Sequence, residues 1–135
     1  MFCKIISVFI GGGMGAAVRF MVSLLSKKYF PGLAFIPVFG TIPASVLGTF
    51  FVNLAGSFLL GLVFGLTLNK INMPETLKLF ITVGFLGGLT TFSTFNLEIF
   101  EFLRAGKTVE AFLYMFLSCA FGLLFTFFGY LVSKV

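Results

Sequence analysis

The chain has 135 residues, room for one small domain, and carries a net charge of +5. Hydrophobic residues make up 59% and charged residues 10%, against about 25% charged in an average soluble domain, so the chain cannot cover a water-facing surface and belongs in a membrane. With no histidine, and Glu75, Glu98, Glu101 and Glu110 as its only acids, it lacks the parts of a histidine-based triad and the usual ligands of a zinc site.

The opening MFCKIISVFIGGG has one lysine and then an apolar run, as a signal peptide has. No soluble segment follows, so it reads as the first span, residues 5–26. Its only charge is Arg19, which can snorkel to the interface or raise the anion concentration in a water-filled vestibule. Lys27 and Lys28 close the span. Residues 29–69 are uncharged, too long a run for one span, and Pro31, Pro37 and Pro43 break its first part. The second span is therefore expected over 44–68, with 29–43 as a loop or half-embedded segment. A polar hinge, NKINMPETLK, precedes a third span over 79–103. The loop RAGKTVE leads to a fourth over 111–133, closed by Lys134.

Each span holds about 20 apolar residues, enough to cross a ~30 Å hydrocarbon core as a helix. The expected fold is an all-α membrane protein of four transmembrane helices with a break in the third, forming one domain over residues 1–135. Cys3 and Cys119 have no thiol neighbour at C-x-x-C spacing and read as packing residues.

Four spans put Lys4, Lys70, Lys78 and Lys134 on one side and Lys27, Lys28, Arg104 and Lys107 on the other, with Arg19 leaning to the second. Positive charge normally selects the cytoplasmic side; here the two sides nearly balance. Either the balance is chance in a small count, or the chain folds against a partner subunit, or copies insert both ways and pair antiparallel. Gly11 and Gly15, Gly61 and Gly65, and Gly84 and Gly88 are spaced for close helix approach, within a chain or between chains.

Polar residues inside the spans mark the candidate site. Asn53 and Ser57 share a face of span two, and an amide at that depth either staples two helices or lines a path. In span three, VGFLGGLTTFSTFNLE, Gly84, Gly87 and Gly88 weaken the helix, and Thr90, Thr91, Ser93 and Thr94 can bond the freed backbone. Broken helices are tolerated at membrane depth where they are buried in protein or line a cavity, and they expose carbonyls to cations and amides to anions. Phe92 and Phe95 face one way, and inward-turned ring edges would attract a small anion. Glu98 is placed to pair with a cation or cap the broken helix. Span four carries Tyr114, Ser118, Gly122 and Thr126 at four-residue steps, a partly hydroxylated stripe.

GGGMGAAVRF with Arg19, GTFFVNLAGSFLLG with Asn53, and GFLGGLTTFSTFNLE together resemble the Fluc family of fluoride channels, also called CrcB, over nearly the whole chain. The resemblance implies a passive, fluoride-selective channel, not an enzyme, that sheds fluoride across a prokaryotic plasma membrane. It implies an antiparallel dual-topology dimer with two pores, the partner being a second copy or a paralogue, and no nucleic acid. On it, Phe92 and Phe95 would line the pore, with Asn53 beside the path and Ser93 and Thr94 nearby. Tyr114 and Ser118 would begin a polar track, and Arg19 would sit in the vestibule. A structural, untransported Na⁺ would lie at the dimer centre on the main-chain carbonyls of Gly87 and Thr90. Gly122 departs from the pattern, where a serine is usual, and the 29–43 loop is longer than usual. Two rivals are a proton-coupled exporter of the small-multidrug type, which needs a carboxylate where span one has Arg19, and a structural subunit of a membrane complex.

Overall fold

The computed structural model describes residues 1–30, 34–36, 40–41, 43–68 and 73–134. Among the described residues, four helical stretches are long and apolar enough to cross a membrane: Phe2–Tyr29, Ala44–Leu68, Glu75–Arg104 and Thr108–Val132. At 1.5 Å per residue, even the 25-residue helices run about 37 Å, longer than a ~30 Å hydrocarbon core. The third is the least apolar, with a mean hydropathy of 1.3 against 1.8 to 2.0 for the others; the polar chemistry is concentrated there.

The first helix, α1 (Phe2–Tyr29), extends past the expected 5–26 at both ends. Within residues 29–43, Ala34–Ile36 and Gly40–Thr41 pair as two short antiparallel strands; residues 31–33, 37–39 and 42 of that loop, like residues 69–72 of the expected hinge, lie outside the described residues. The second helix, α2 (Ala44–Leu68), is the most buried. The third stretch starts inside the expected hinge, at Glu75. Pro74 precedes it with ψ 136°, and an acid in the first turn suits a helix N-terminus. It comprises α3 (Glu75–Leu79), a widened π-helical segment (Phe80–Leu86), α4 (Gly87–Leu89) and α5 (Phe92–Arg104). A turn at Gly106, with φ 74°, leads into α6 (Thr108–Val132).

Two backbone seams hold the bundle. In the first, α1 lies against the third stretch: a Cβ at Gly11 would come within 2.9 Å of Phe85 N, one at Gly15 would run into the Phe85 carbonyl, and one at Gly88 into the Gly12 carbonyl. In the second, α2 lies against α6: a Cβ at Gly61 would strike the Thr126 carbonyl, and one at Gly129 the Phe58 carbonyl. The small-residue pairs thus serve contacts within the chain. Gly84, Gly87 and Gly88 do not themselves unwind the third stretch; all three stay helical, and Gly84 and Gly88 are consumed in packing on α1.

Lys4 Nζ lies 2.6 Å from Glu75 Oε2, so the start of α1 and the start of the third stretch are at one end of the bundle. Both side chains are well exposed, where water and salt screen the pair; it marks the geometry more than it stabilises it.

Gly15→Leu should lower the melting temperature of the detergent-purified protein or abolish its folding, since overpacking typically costs about 1–3 kcal/mol and the obstacle here is backbone. Gly13→Leu, with nothing within 4 Å of its Cβ position, should melt with the unaltered chain. Equal melting of the two variants would refute the seam.

Candidate functional site

The third stretch leaves the helical conformation at Thr90 and Thr91, which have φ, ψ of −78°, 156° and −147°, 119°. The cause is Asn53 on α2. Its Oδ1 accepts from Thr91 N at 2.9 Å, and its Nδ2 donates to Thr91 O at 3.2 Å. One side-chain amide thus bonds both main-chain groups of Thr91; its N–H would otherwise go unpaired in a membrane interior at a cost of several kcal/mol. The Thr91 hydroxyl completes the restart of the helix: it accepts from Thr94 N at 3.2 Å and donates to Thr94 Oγ1 at 3.0 Å, an N-cap within the span.

These bonds free two carbonyls. In an unbroken α-helix, the amide four residues on caps each carbonyl. The amide due to Gly87 belongs to Thr91 and goes to Asn53; the amide due to Thr90 belongs to Thr94 and goes to the Thr91 hydroxyl. Oxygen atoms released in this way suit a hard cation, and among the described residues no group of three His, Cys, Asp or Glu could hold a metal instead.

Two cavities flank the interruption. The larger, about 340 Å³, is bounded by Asn53, Ser57, Thr90, Phe92, Phe95 and Ser118, with Gly87 and Gly122 also on its wall. The smaller, about 250 Å³, is lined by Arg19, Ser23, Thr49 and Thr94 among others. Thr91 lines both. The Nε of half-buried Arg19 makes no hydrogen bond among the described residues.

The structure therefore brings together Phe92, Phe95, Asn53, Ser118, Gly87 and Thr90 on the larger cavity and puts Arg19 and Thr94 on the smaller. It does not bring Ser93 or Tyr114 to either. Ser93 is exposed, 3.5 Å from the Thr91 hydroxyl. Tyr114 instead donates to Glu98 Oε2 at 2.8 Å, and Thr49 donates to Glu98 Oε1 at 2.7 Å. Glu98, 4% exposed, neither pairs with a cation nor caps a helix among the described residues; hydroxyls from α2 and α6 reach it first. The Tyr114 ring packs on Phe95 edge to face, with centroids 5.1 Å apart and planes at 61°. This fixes Phe95, which is 7% exposed, while Phe92 projects from the chain at 76% exposed, its centroid 6.2 Å from that of Phe95.

Sequence reasoning passed over Thr49 and undervalued Thr91 and Glu98. A threonine just ahead of an apolar-periodic run is an N-cap signal that points to Thr91. Nothing in the sequence pairs Thr49 with an acid 49 residues away.

The sequence pattern of the family described as CrcB-like protein, Camphor Resistance (CrcB), matches residues 6–130. Three similar proteins, each named fluoride-specific ion channel FluC, come from Aquifex aeolicus, Serratia proteamaculans and Campylobacter fetus. The first is 36% identical over 130 residues, 96% of each chain. The second is 39% identical over 132 residues, 98% of this chain and 94% of its own. The third is 39% identical over 134 residues, 99% of this chain and 96% of its own.

Proposed function

We propose that this chain, which belongs to the CrcB family, is a passive channel for fluoride that lets a cell shed the ion across its plasma membrane. The observation that carries the reading is the composition of the larger cavity. Fluoride holds its water tightly, and a pore must replace that water with donors weak enough to release the ion again. The cavity offers such donors: the second Nδ2 hydrogen of Asn53, the unpaired Ser118 hydroxyl, and the ring edges of Phe92 and Phe95. Among the described residues no charged side chain lines it; the cationic group, Arg19, stands across Thr91 on the smaller cavity, suited to gathering anions before they enter.

The working unit in this reading is an antiparallel dimer of chains inserted both ways, a second copy or a paralogue being the partner. The near-balance of lysine and arginine between the two sides supports it. The 76% exposure of Phe92 leaves a pore residue without a neighbouring wall in one chain alone. The interruption then lies at the middle of the unit, and the freed carbonyls of exposed Gly87 and half-buried Thr90, beside the cavity, fit a structural Na⁺. When bound, the ion supplies fixed positive charge and ties the paired interruptions together.

Liposomes holding only this protein, loaded with fluoride and diluted into fluoride-free buffer containing Na⁺, should release fluoride with no proton gradient, while chloride is retained. Absence of fluoride release would overturn the channel reading for the homodimer. Replacing Na⁺ with an organic cation should reduce the flux; an unchanged rate would remove the cation from Gly87 and Thr90 and leave the channel standing. A requirement for a proton gradient would favour a coupled exporter.

A further inference from the structure

The hydroxyl groups around the larger cavity are unequal. The Thr82 hydroxyl donates to the Lys78 carbonyl at 2.8 Å, that of Thr90 to the Leu86 carbonyl at 2.9 Å, and that of Thr91 to Thr94. Each has spent its one O–H hydrogen inside its own stretch of chain. Ser57 and Ser118 line the same cavity and make no hydrogen bond among the described residues, so theirs are the hydroxyl donors left for an ion.

The stripe along α6 has been thinned in the same way. Tyr114 is committed to Glu98, and Thr126 donates to the Gly122 carbonyl at 3.0 Å. Ser118 remains, and one step beyond it Gly122 has no side chain. Packing does not require that glycine. Gly61 and Gly129 on the same seam admit no Cβ, but a Cβ at Gly122 would meet only Ser57 Oγ, at 3.7 Å, an ordinary contact. Position 122 therefore opens onto Ser57. On α2, Ser57 follows Asn53 by one turn on the same face, so Asn53 and Ser57 line one wall of the cavity and Ser118 and Gly122 the other.

We infer that Ser57 is an ion-contacting residue of the pore, supplying from α2 the hydroxyl donor that α6 lacks at Gly122. The inference rests on the channel reading above and adds to it a residue and a division of labour: the path of donors passes from Ser118 to the opposite wall instead of continuing along one helix.

The test is fluoride efflux from liposomes for the unaltered protein, Ser57→Ala, and Ser57→Ala combined with Gly122→Ser. Loss of a hydrogen bond to an ion should slow Ser57→Ala by about tenfold or more, with its melting temperature and elution volume unchanged. The double variant restores a hydroxyl in the same gap from the other helix and should recover most of the rate. A general packing role for Ser57 predicts no such rescue. If Ser57→Ala conducts like the unaltered protein, or if Gly122→Ser fails to restore the loss, the inference is overturned while the channel reading stands. If the unaltered protein passes no fluoride, both fall.

Discussion

Asn53→Leu should abolish fluoride efflux and lower the melting temperature together. Leucine nearly matches the side chain in volume but offers neither donor nor acceptor. Thr91, which is buried, would lose the partner of its N–H, and its C=O would keep the first helical bond of α5 but lose the second donor. A buried polar group left unpaired costs about 1–3 kcal/mol, a sizeable part of the ~5–15 kcal/mol that holds an ordinary domain. The chain could escape the cost by closing the helix through Thr91, but it would then re-cap Gly87 and dismantle the site. Asn53→Asp separates the two contributions. It keeps the acceptor for Thr91 N and loses the donor to Thr91 O, so it should melt closer to the unaltered chain. If ionised, it would also set a negative charge on the cavity wall and stop an anion. Efflux from liposomes and melting of the same preparations check both; an Asn53→Leu protein that keeps its rate would show that the interruption does not depend on this amide.

Phe92→Ile carries the second large expectation, a loss of fluoride efflux of about tenfold or more, equivalent to ~1.4 kcal/mol or more at the barrier, with almost no change in stability. The two phenylalanines differ as probes. Phe95 is buried against Tyr114, so replacing it alters packing as well as the cavity surface. Phe92 is 76% exposed in the chain and gives up little of the chain's own packing when shortened. A branched aliphatic side chain keeps the bulk and removes the positive ring edge. Lost flux in Phe92→Ile with an unshifted melting curve therefore reports on the ion path. Unchanged flux in this variant and in Phe95→Ile would take both rings out of the pore.

The spans were legible because length and hydropathy carry them: a span is about 20 apolar residues between charges, and Lys27, Lys28 and Lys134 mark ends directly. The third stretch was legible as unusual and misread in its mechanics. Its glycines were read both as weak helix and, for Gly84 and Gly88, as spaced for close approach; the second holds, since α1 comes closest there, and the helix ends two residues later at threonines. Glycine spacing records close approach as well as flexibility, and only the partner's position tells them apart. Phe92, Phe95, Asn53 and Ser118 line one cavity; spacing paired the two phenylalanines, and the resemblance added Asn53 and Ser118 from other helices. Tyr114 keeps the spacing but not the cavity, because the periodicity of α6 cannot reveal that Glu98 stands behind Phe95, ready to take its hydroxyl. The pairing of Thr49 with Glu98 is of the same kind, a long-range bond with no local trace.

The staple between Asn53 and Thr91 also bears on biogenesis. A chain made from its N-terminus brings Asn53 into the membrane 38 residues ahead of Thr91. When the interrupted stretch enters the bilayer, the helix that will accept its exposed peptide group is already there, and the threonines that cap the restart arrive within the stretch itself. The order of helices thus spares the chain a stage in which a broken span waits in lipid for a partner not yet synthesised. A rearranged chain with α2 placed after α5 would have to pass through that stage.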